Sequence, residues 1–315
     1  MKVLKKYKFQ FVFYLSILFI CSISCTQNEE KLVVDFSDTL SVDDQKNDVP
    51  VKIAYVAISS ITSPKETYSY YGDLLKYISE KIKRPIYIKQ KRTYQEVNQL
   101  LDNGEVDFAF ICSGSYVDEI KRGKIKILVA PVVNAKHTYQ SYVITNKNSE
   151  IKSFNDFYHK SFAYTDPLST TGKLYAMKRL KELNYTENVF FKKTVYTYGH
   201  DISIQMVNRG IIDGACVHGL IFDYLSEEYP DRVENVKIIE KSEDYGIPPV
   251  VVPISMKDEC FYKLQNIFLN LHNDSIGKKI LTKLHIDKFD VASDSMYKSV
   301  YKLKEITDNE DNKNN

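Results

Sequence analysis

The sequence predicts an α/β fold with a largely parallel sheet and a ligand site at the carboxyl ends of its strands. Two observations carry this. Short apolar strands alternate with amphipathic helices along the chain, and polar Gly/Ser turns recur where a strand hands over to a helix. A third observation sets the scale: about 265 residues lie between the polar ends, enough for one large or two medium lobes.

Taken in order, 51–57 reads as a strand and 59–64 as a polar turn. A helix follows with Tyr71, Leu74, Leu75, Ile78 and Ile82 on one face. Strand 85–90 leads to Thr93-Tyr94-Gln95-Glu96, a capping box, with Val97, Leu100 and Leu101 inward. Gly104 ends that helix, 106–112 is a buried strand, and Ser113-Gly114-Ser115-Tyr116 opens a short helix. Strands are expected at 125–133, 139–145, 161–164, 189–195, 212–217, 236–240 and 250–255. Helices are expected at 201–209, 219–228, 261–271, 276–284 and 295–303.

The stretch Tyr164-Thr165-Asp166-Pro167-Leu168-Ser169-Thr170-Thr171-Gly172 carries the most chemistry. A strand enters it, and a helix with Leu174, Met177, Leu180 and Leu183 on one face leaves it. The first turn of a helix offers free N–H groups and the positive end of the dipole. Ser169, Thr170 and Thr171 add O–H donors, and Gly172 lets the backbone approach a ligand closely. Together they form a seat for an oxyanion. The same residues also serve as a plain helix cap. Asp166 carries the wrong charge for an anion and reads as a brace for the loop. Turns 59–63 and 113–116 and the loop Thr197-Tyr198-Gly199-His200 occupy equivalent strand-to-helix positions, so four turns can face one cleft.

The ends of the chain speak to location. Residues 1–25 hold Lys2, Lys5, Lys6 and Lys8, no acid, and an apolar run from Phe9 to Ile20. This is a secretory signal, too short and one-sided for a permanent span. Ser22-Ile23-Ser24-Cys25 resembles a bacterial lipobox, with Ser22 where Leu is usual, making Cys25 the expected lipidation site. An ordinary cleaved signal or an uncleaved anchor are the alternatives. Residues 26–50 read as a solvated tether and 307–315 as a frayed tail. A lipid-anchored protein in a bacterial cell envelope, facing periplasm or exterior, follows.

Without the signal the chain has 39 basic and 41 acidic residues, a formal −2, so no basic excess argues for nucleic acid. Cys112, Cys216 and Cys260 form no CxxC pair; neither a zinc site nor a disulfide framework is suggested, and no cofactor or metal is expected.

Three segments carry a family resemblance. Asp166-Pro167-Leu168-Ser169-Thr170-Thr171-Gly172 is one. Gly199-His200-Asp201, followed by Val207-Asn208-Arg209-Gly210-Ile211-Ile212-Asp213-Gly214-Ala215, is the second. Residues Leu100 to Phe110 are the third. Together they resemble the substrate-binding proteins of phosphate, phosphite and phosphonate ABC importers, which are periplasmic binding proteins. The resemblance implies a two-lobe, type II periplasmic-binding-protein-like fold with a hinge and an interlobe cleft. It places lobe 1 at 51–145 plus 236–306 and lobe 2 at 146–235. It implies that Ser169, Thr170, Thr171 and His200 hold the ligand's oxygens, with Gly172 in the same seat. First-lobe aromatics complete the pocket, with Tyr70, Tyr71 and Tyr116 as candidates, and Ser113 joins from its turn. The partners implied are a small oxyanion and the importer's permease, with the protein a monomer and no enzyme. Ile111-Cys112 and Pro248 depart from the family where some members carry an aromatic residue and an acid, which leaves the ligand's organic substituent open. Two rivals remain: a sensor or surface lipoprotein of the same fold, and an enzyme using Cys112 or Cys216 with His200.

Overall fold

The computed structural model describes residues 52–308; the expectations for Cys25, the signal and the tether lie outside the described residues. The first half contains β1 (Ala54–Ile58), α1 (Pro64–Ile82), β2 (Ile86–Lys89), α2 (Tyr94–Asp102), β3 (Phe108–Phe110), α3 (Ser113–Lys121), β4 (Ile125–Val132), β5 (Thr138–Tyr139) and β6 (Ser141–Asn146). Next come β7 (Ser161–Tyr164), α4 (Tyr175–Glu182), α5 (Glu187–Phe190), β8 (Lys193–Tyr196), α6 (His200–Asn208), β9 (Gly214–His218) and α7 (Gly219–Glu228). The chain closes with β10 (Val236–Lys241), β11 (Tyr245–Gly246), β12 (Val250–Pro253), α8 (Asp258–Leu269), α9 (Ser275–Lys283), β13 (Lys288–Asp290) and α10 (Lys298–Asp308). Among the described residues no helix is long and apolar enough to cross a membrane.

Two sheets organise these elements. One has the order β13-β4-β12-β3-β1-β2, the other β10-β6-β9-β7-β8. Each has a parallel core, β2-β1-β3 in the first and β8-β7-β9 in the second. Neither is wholly parallel, because β12 enters the first sheet antiparallel between β3 and β4, and β6 lies antiparallel to β9. The expectation of a largely parallel sheet is corrected accordingly. The chain leaves one sheet, builds the other and returns from the opposite direction, which reverses the inserted strand.

The crossings are short. β5 and β11 pair antiparallel, Tyr139 opposite Tyr245, in a ribbon between the two sheets. Strands β6 and β10 pair antiparallel within the second sheet, so residues 141–146 and 236–241 lie in that sheet, and residues 133–140 and 242–249 run between the two sheets.

Local chemistry explains the elements that frame the site. Thr93 and Glu96 form the expected capping box: Glu96 N–H donates to Thr93 Oγ1 at 3.2 Å, and Thr93 N–H donates to Glu96 Oε2 at 2.9 Å. Asp107 accepts Tyr55 N–H at 2.8 Å, and Asp213 accepts Ser161 N–H at 2.8 Å, so the two aspartates tie neighbouring strands together in their respective sheets. The first sheet buries Val56, Phe108 and Phe110 against Leu74, Ile78 and Phe268 of α1 and α8. The second buries Ile144, Ala215 and Val217 against Val207 and Phe222 of α6 and α7. One expectation fails: 189–195 is not a single strand. Phe190 N–H bonds to Thr186 C=O at 3.0 Å in a helical turn, and strand geometry begins only at Lys193. The Phe190 and Phe191 rings pack on Phe154 and Phe162, so the apolar run is buried by that turn rather than by a sheet.

Candidate functional site

The four polar turns converge. Thr170 Oγ1 lies 3.0 Å from Ser113 Oγ, joining the 169–172 turn of the second sheet to the 113–116 turn of the first. Ser113 Oγ also lies 3.0 Å from the Tyr139 hydroxyl of the crossing ribbon. His200 N–H donates to Ile61 C=O at 2.9 Å, and Ser63 N–H donates to Asp201 Oδ1 at 2.8 Å. Ser169, Thr170, Thr171, Ser113 and His200 are all buried.

The 169–172 turn has an unusual backbone. Leu174 N–H reaches back to Ser169 C=O at 3.0 Å, and Tyr175 N–H reaches Thr170 C=O, so the entry to α4 is a wide, five-residue-spaced turn. Gly172 N–H donates to Ser169 Oγ at 3.0 Å. A Cβ on Gly172 would sit 2.2 Å from Thr165 Oγ1, so the glycine is needed for strand-to-helix packing. Asp166 braces the loop as expected: Oδ1 accepts Leu168 N–H at 2.9 Å, and Oδ2 accepts Tyr94 N–H at 3.0 Å, spanning the two sheets' turns. Burial raises the Asp166 carboxyl above its ordinary range.

His200 has a defined protonation state. The backbone N–H of His218 donates to its Nδ1 at 3.0 Å, so Nδ1 carries no proton. Burial, with His218 adding to it, holds the imidazole far below its usual range, so it stays neutral. The ring proton is therefore on Nε2, which faces Ser169 Oγ at 3.5 Å. His200 is a fixed hydrogen-bond donor.

Around this centre, buried hydroxyls stand without partners. Tyr94 Oη and Thr171 Oγ1 are buried and make no hydrogen bond, and Ser115 Oγ in the first turn of α3 is likewise unpaired. Ser169 neighbours the Tyr94 phenol, and Thr170 and Thr171 neighbour the Tyr139 phenol. Leaving such a group unsatisfied costs about 1–3 kcal/mol. Such orphaned hydroxyls can donate to the oxygens of an oxyanion. No lysine or arginine belongs to the cluster; among the described residues the only buried basic side chain of those types is Lys304, which pairs with Asp118. An anion here meets hydroxyls, Nε2–H of His200 and helix N-termini rather than a full countercharge. Among the described residues no group of three His, Cys, Asp or Glu side chains can hold a metal ion.

A family model for the ABC-transporter phosphonate periplasmic substrate-binding proteins matches residues 56–297. The chain belongs to that family. It is 26% identical over 206 residues to the phosphonates-binding periplasmic protein of Escherichia coli K12, covering 64% of this chain and 61% of that one. It is 24% identical over 177 residues to a probable ABC-transporter phosphite-binding protein, PhnD1, of Prochlorococcus marinus MIT 9301, covering 52% of this chain and 60% of that one. The chain thus spans about three fifths of the length of these two relatives. Its fold is shared with the binding component of a Pseudomonas aeruginosa ABC phosphonate transporter, at TM-score 0.78 and 23% identity over 84% of this chain and 89% of that one. PhnD1 solved with methylphosphonate aligns at TM-score 0.72 and 18% identity over 81% and 97%. These structural matches establish the two-lobe periplasmic-binding-protein fold.

The remaining candidates divide. Tyr71 does not join the hydroxyls; it lines an adjoining cavity of about 170 Å³, with its ring 4.8 Å from that of Phe110. Tyr70 lines the same cavity and donates to Leu284 C=O at 2.6 Å. Tyr116 is corrected: its hydroxyl donates to Asp294 at 3.0 Å and its ring packs 4.3 Å from Tyr297, so it is spent on the core. Cys112 Sγ lies 3.7 Å from Thr170 Oγ1, and Cys216 is fully buried with its thiol pushed up by burial. Neither has a hydrogen bond to His200, whose Nδ1 and Nε2 contacts are taken by Thr165, His218 and Ser169. Sequence reasoning missed Tyr94, Tyr139 and His218. Tyr94 carried a signal, since its capping box opens another strand-to-helix turn; Tyr139 and His218 carried none.

Proposed function

We propose that this chain captures a small phosphorus oxyanion, a phosphonate, phosphite or phosphate, in the cleft between its two sheets and delivers it to the permease of an ABC importer. The observation that carries this reading is the ring of buried hydroxyls, with Tyr94 Oη and Thr171 Oγ1 unpaired beside the Nε2–H of His200. The ligand's oxygens are held by Ser169, Thr170, Thr171, Ser113, Tyr94 and His200, and nothing in this arrangement activates a nucleophile. Family membership and the likeness to phosphonate- and phosphite-binding relatives support the same role. The lobes are 52–132 plus 250–308, and 141–241, hinged at the β5–β11 ribbon. The protein acts as a monomer, tethered to the membrane by a lipid on Cys25. Binding closes the lobes, and the permease reads the closed form. The test is a melting scan of the purified mature chain with phosphate, phosphite, methylphosphonate and sulfate at millimolar concentration. A ligand-dependent rise with at least one phosphorus oxyanion is expected; a flat response to all of them overturns the reading.

A further inference from the structure

Helix α7 packs on the second sheet, and side chains on and just after it also touch residues of the first lobe. Tyr224 of α7 meets Tyr70 of α1 edge-on, ring centroids 5.1 Å apart. Arg232, just past α7, pairs with Glu66 of α1 at 3.0 Å. The third contact comes from His285, in the loop between α9 and β13. Its Nδ1 lies 3.3 Å from Glu227 Oε2, and its Nε2 lies 3.1 Å from Glu228 Oε1.

Both ring nitrogens of His285 therefore face carboxylate oxygens. A neutral imidazole has one N–H, so it donates to one glutamate and turns a lone pair toward the other. Only the imidazolium donates to both. The glutamates belong to one lobe and the histidine to the other, so these charges meet only when the lobes are together. His285 also holds a left-handed backbone, φ +53°, just after a helix end, where glycine is the usual residue.

The neighbouring groups are accounted for. Tyr224 of α7 packs its ring 5.2 Å from that of His285, and Tyr70 and Tyr71 of α1 line the same cavity as His285. Burial raises all three phenols, so they stay neutral. His218 of β9, across that cavity, is held neutral by burial. Asp223 of α7 accepts the Tyr142 hydroxyl at 3.0 Å, and Asp287 accepts Ala135 N–H at 2.7 Å. Lys283 of α9 pairs with Asp73 of α1 at 2.8 Å, and Lys278 of α9 lies beside His285 and Glu228 at the surface.

Resting on the proposed capture reading, we infer that His285, Glu227 and Glu228 form a proton-operated latch between the lobes, so that protonation of His285 holds the closed form and its loss loosens it. Closure and protonation favour each other, as linkage requires. Histidine changes charge between about pH 5 and 8, so ligand is held more tightly at pH 6 than at pH 8. The Arg232–Glu66 pair is a second clasp without a histidine.

Calorimetric titration of the mature chain with methylphosphonate and with phosphate, at pH 6 and pH 8, tests this against Glu227→Gln/Glu228→Gln. The ligand's own titration and the buried histidines affect both chains alike, so the ratio of their pH responses reports the latch. From pH 8 to pH 6 the wild-type chain is expected to gain about three- to tenfold in affinity over the double variant, the size that one or two exposed ion pairs give. His285→Gln should lose the same factor, while Glu66→Gln should keep the wild-type pH response. Equal responses in the wild type and the double variant overturn the latch, as does loss of the response in Glu66→Gln. Binding of neither compound overturns the oxyanion reading, and the free chain then decides the latch. Spin labels on Tyr68→Cys and Val189→Cys, exposed positions in opposite lobes, report the interlobe distance once the exposed Cys260 is replaced by serine. The short distance should be more populated at pH 6 than at pH 8, and the added Glu227→Gln/Glu228→Gln should abolish that difference; a distribution that pH leaves unchanged overturns the latch.

Discussion

The hydroxyl cluster around Thr170 and the cavity under Tyr71 share His218 as a wall, yet they rest on different physics. The cluster is polar, fully buried and assembled from turns whose backbones are already tied down, as Gly172 N–H is to Ser169. Its members bond to one another in part, and Tyr94 Oη, Thr171 Oγ1 and Ser115 Oγ are left without partners. The cavity mixes apolar and polar walls and is assembled from many elements and loops that happen to pass it, Phe110 in β3, Leu220 in α7, Asp223 in α7 and Pro248 in a crossing among them. Under the proposed reading the first region holds the ligand's head group, and the second lies beside it.

The sharpest way to break this contrast is the double variant Ser169→Ala/Thr171→Ala. All phosphorus-oxyanion stabilisation is expected to vanish in a melting scan. The unliganded protein loses about 0.5–2 kcal/mol, because Ser169 also caps Gly172 N–H while the Thr171 hydroxyl has no partner to lose. A retained ligand response would move the site elsewhere.

Gly114→Ala tests whether the two sheets must close on each other. Its Cβ would sit 2.2 Å from Leu168 C=O, a backbone atom of the opposite turn that cannot swing aside. Ligand affinity is expected to fall by about tenfold or more, at the low end of an overpacking cost of about 1–3 kcal/mol. The loss should appear in titration of ligand, with denaturant midpoints of the free protein much less affected. Equal losses in both would mean the contact belongs to the core and not to closure.

Acid should weaken the polar region. His200 and His218 are held neutral by burial, His218 with its pKa pulled down to about 3 from 6.5. Both folded values lie below the unfolded one, so their contribution to stability is complete above about pH 6.5 and is lost as pH falls from there. Each uncharged histidine steepens the decline by at most about 1.4 kcal/mol per pH unit. Asp166, raised by burial, gains its proton earlier in the folded state and offsets part of this at lower pH. Urea melts from pH 7.5 to 5 should show the loss, and His200→Gln with His218→Gln should flatten it.

The smallest effect is expected from Tyr94→Phe. The hydroxyl it removes is buried and unpaired in the free protein, so stability should hold or rise slightly. Affinity for phosphate or methylphosphonate should fall by about 0.5–1.5 kcal/mol, one hydrogen bond's net worth. No change in affinity would place the phenol outside the ligand's reach.

Much of the polar region was legible in the chain. The Asp166 brace, the capping box at Thr93, the hydroxyl turn and the helix opened by His200 are local: each depends on groups within a few residues, and the structure keeps all four. Less legible were Tyr94 as a site residue and Tyr139 and His218, whose neighbours lie far off in sequence, Ser113 to Tyr139 being 26 residues and His200 to His218 18. Tyr116, a candidate first-lobe aromatic by the family resemblance, points its side chain to Asp294, 178 residues away. Two- and three-residue strands such as β5, β11 and β13 carry too little pattern to be seen at all.

By itself, then, the sequence determined the alternating strands and helices, the polar turns at their junctions, and a hydroxyl-rich helix start suited to an oxyanion. Hydrogen bonds between near neighbours and the period of apolar residues settle those features. The tertiary structure decided which turns meet, that His200 is a neutral donor through Nε2, and that Tyr94 joins Ser169. Those outcomes depend on burial and on contacts closed over tens to hundreds of residues, where the chain's local preferences are silent.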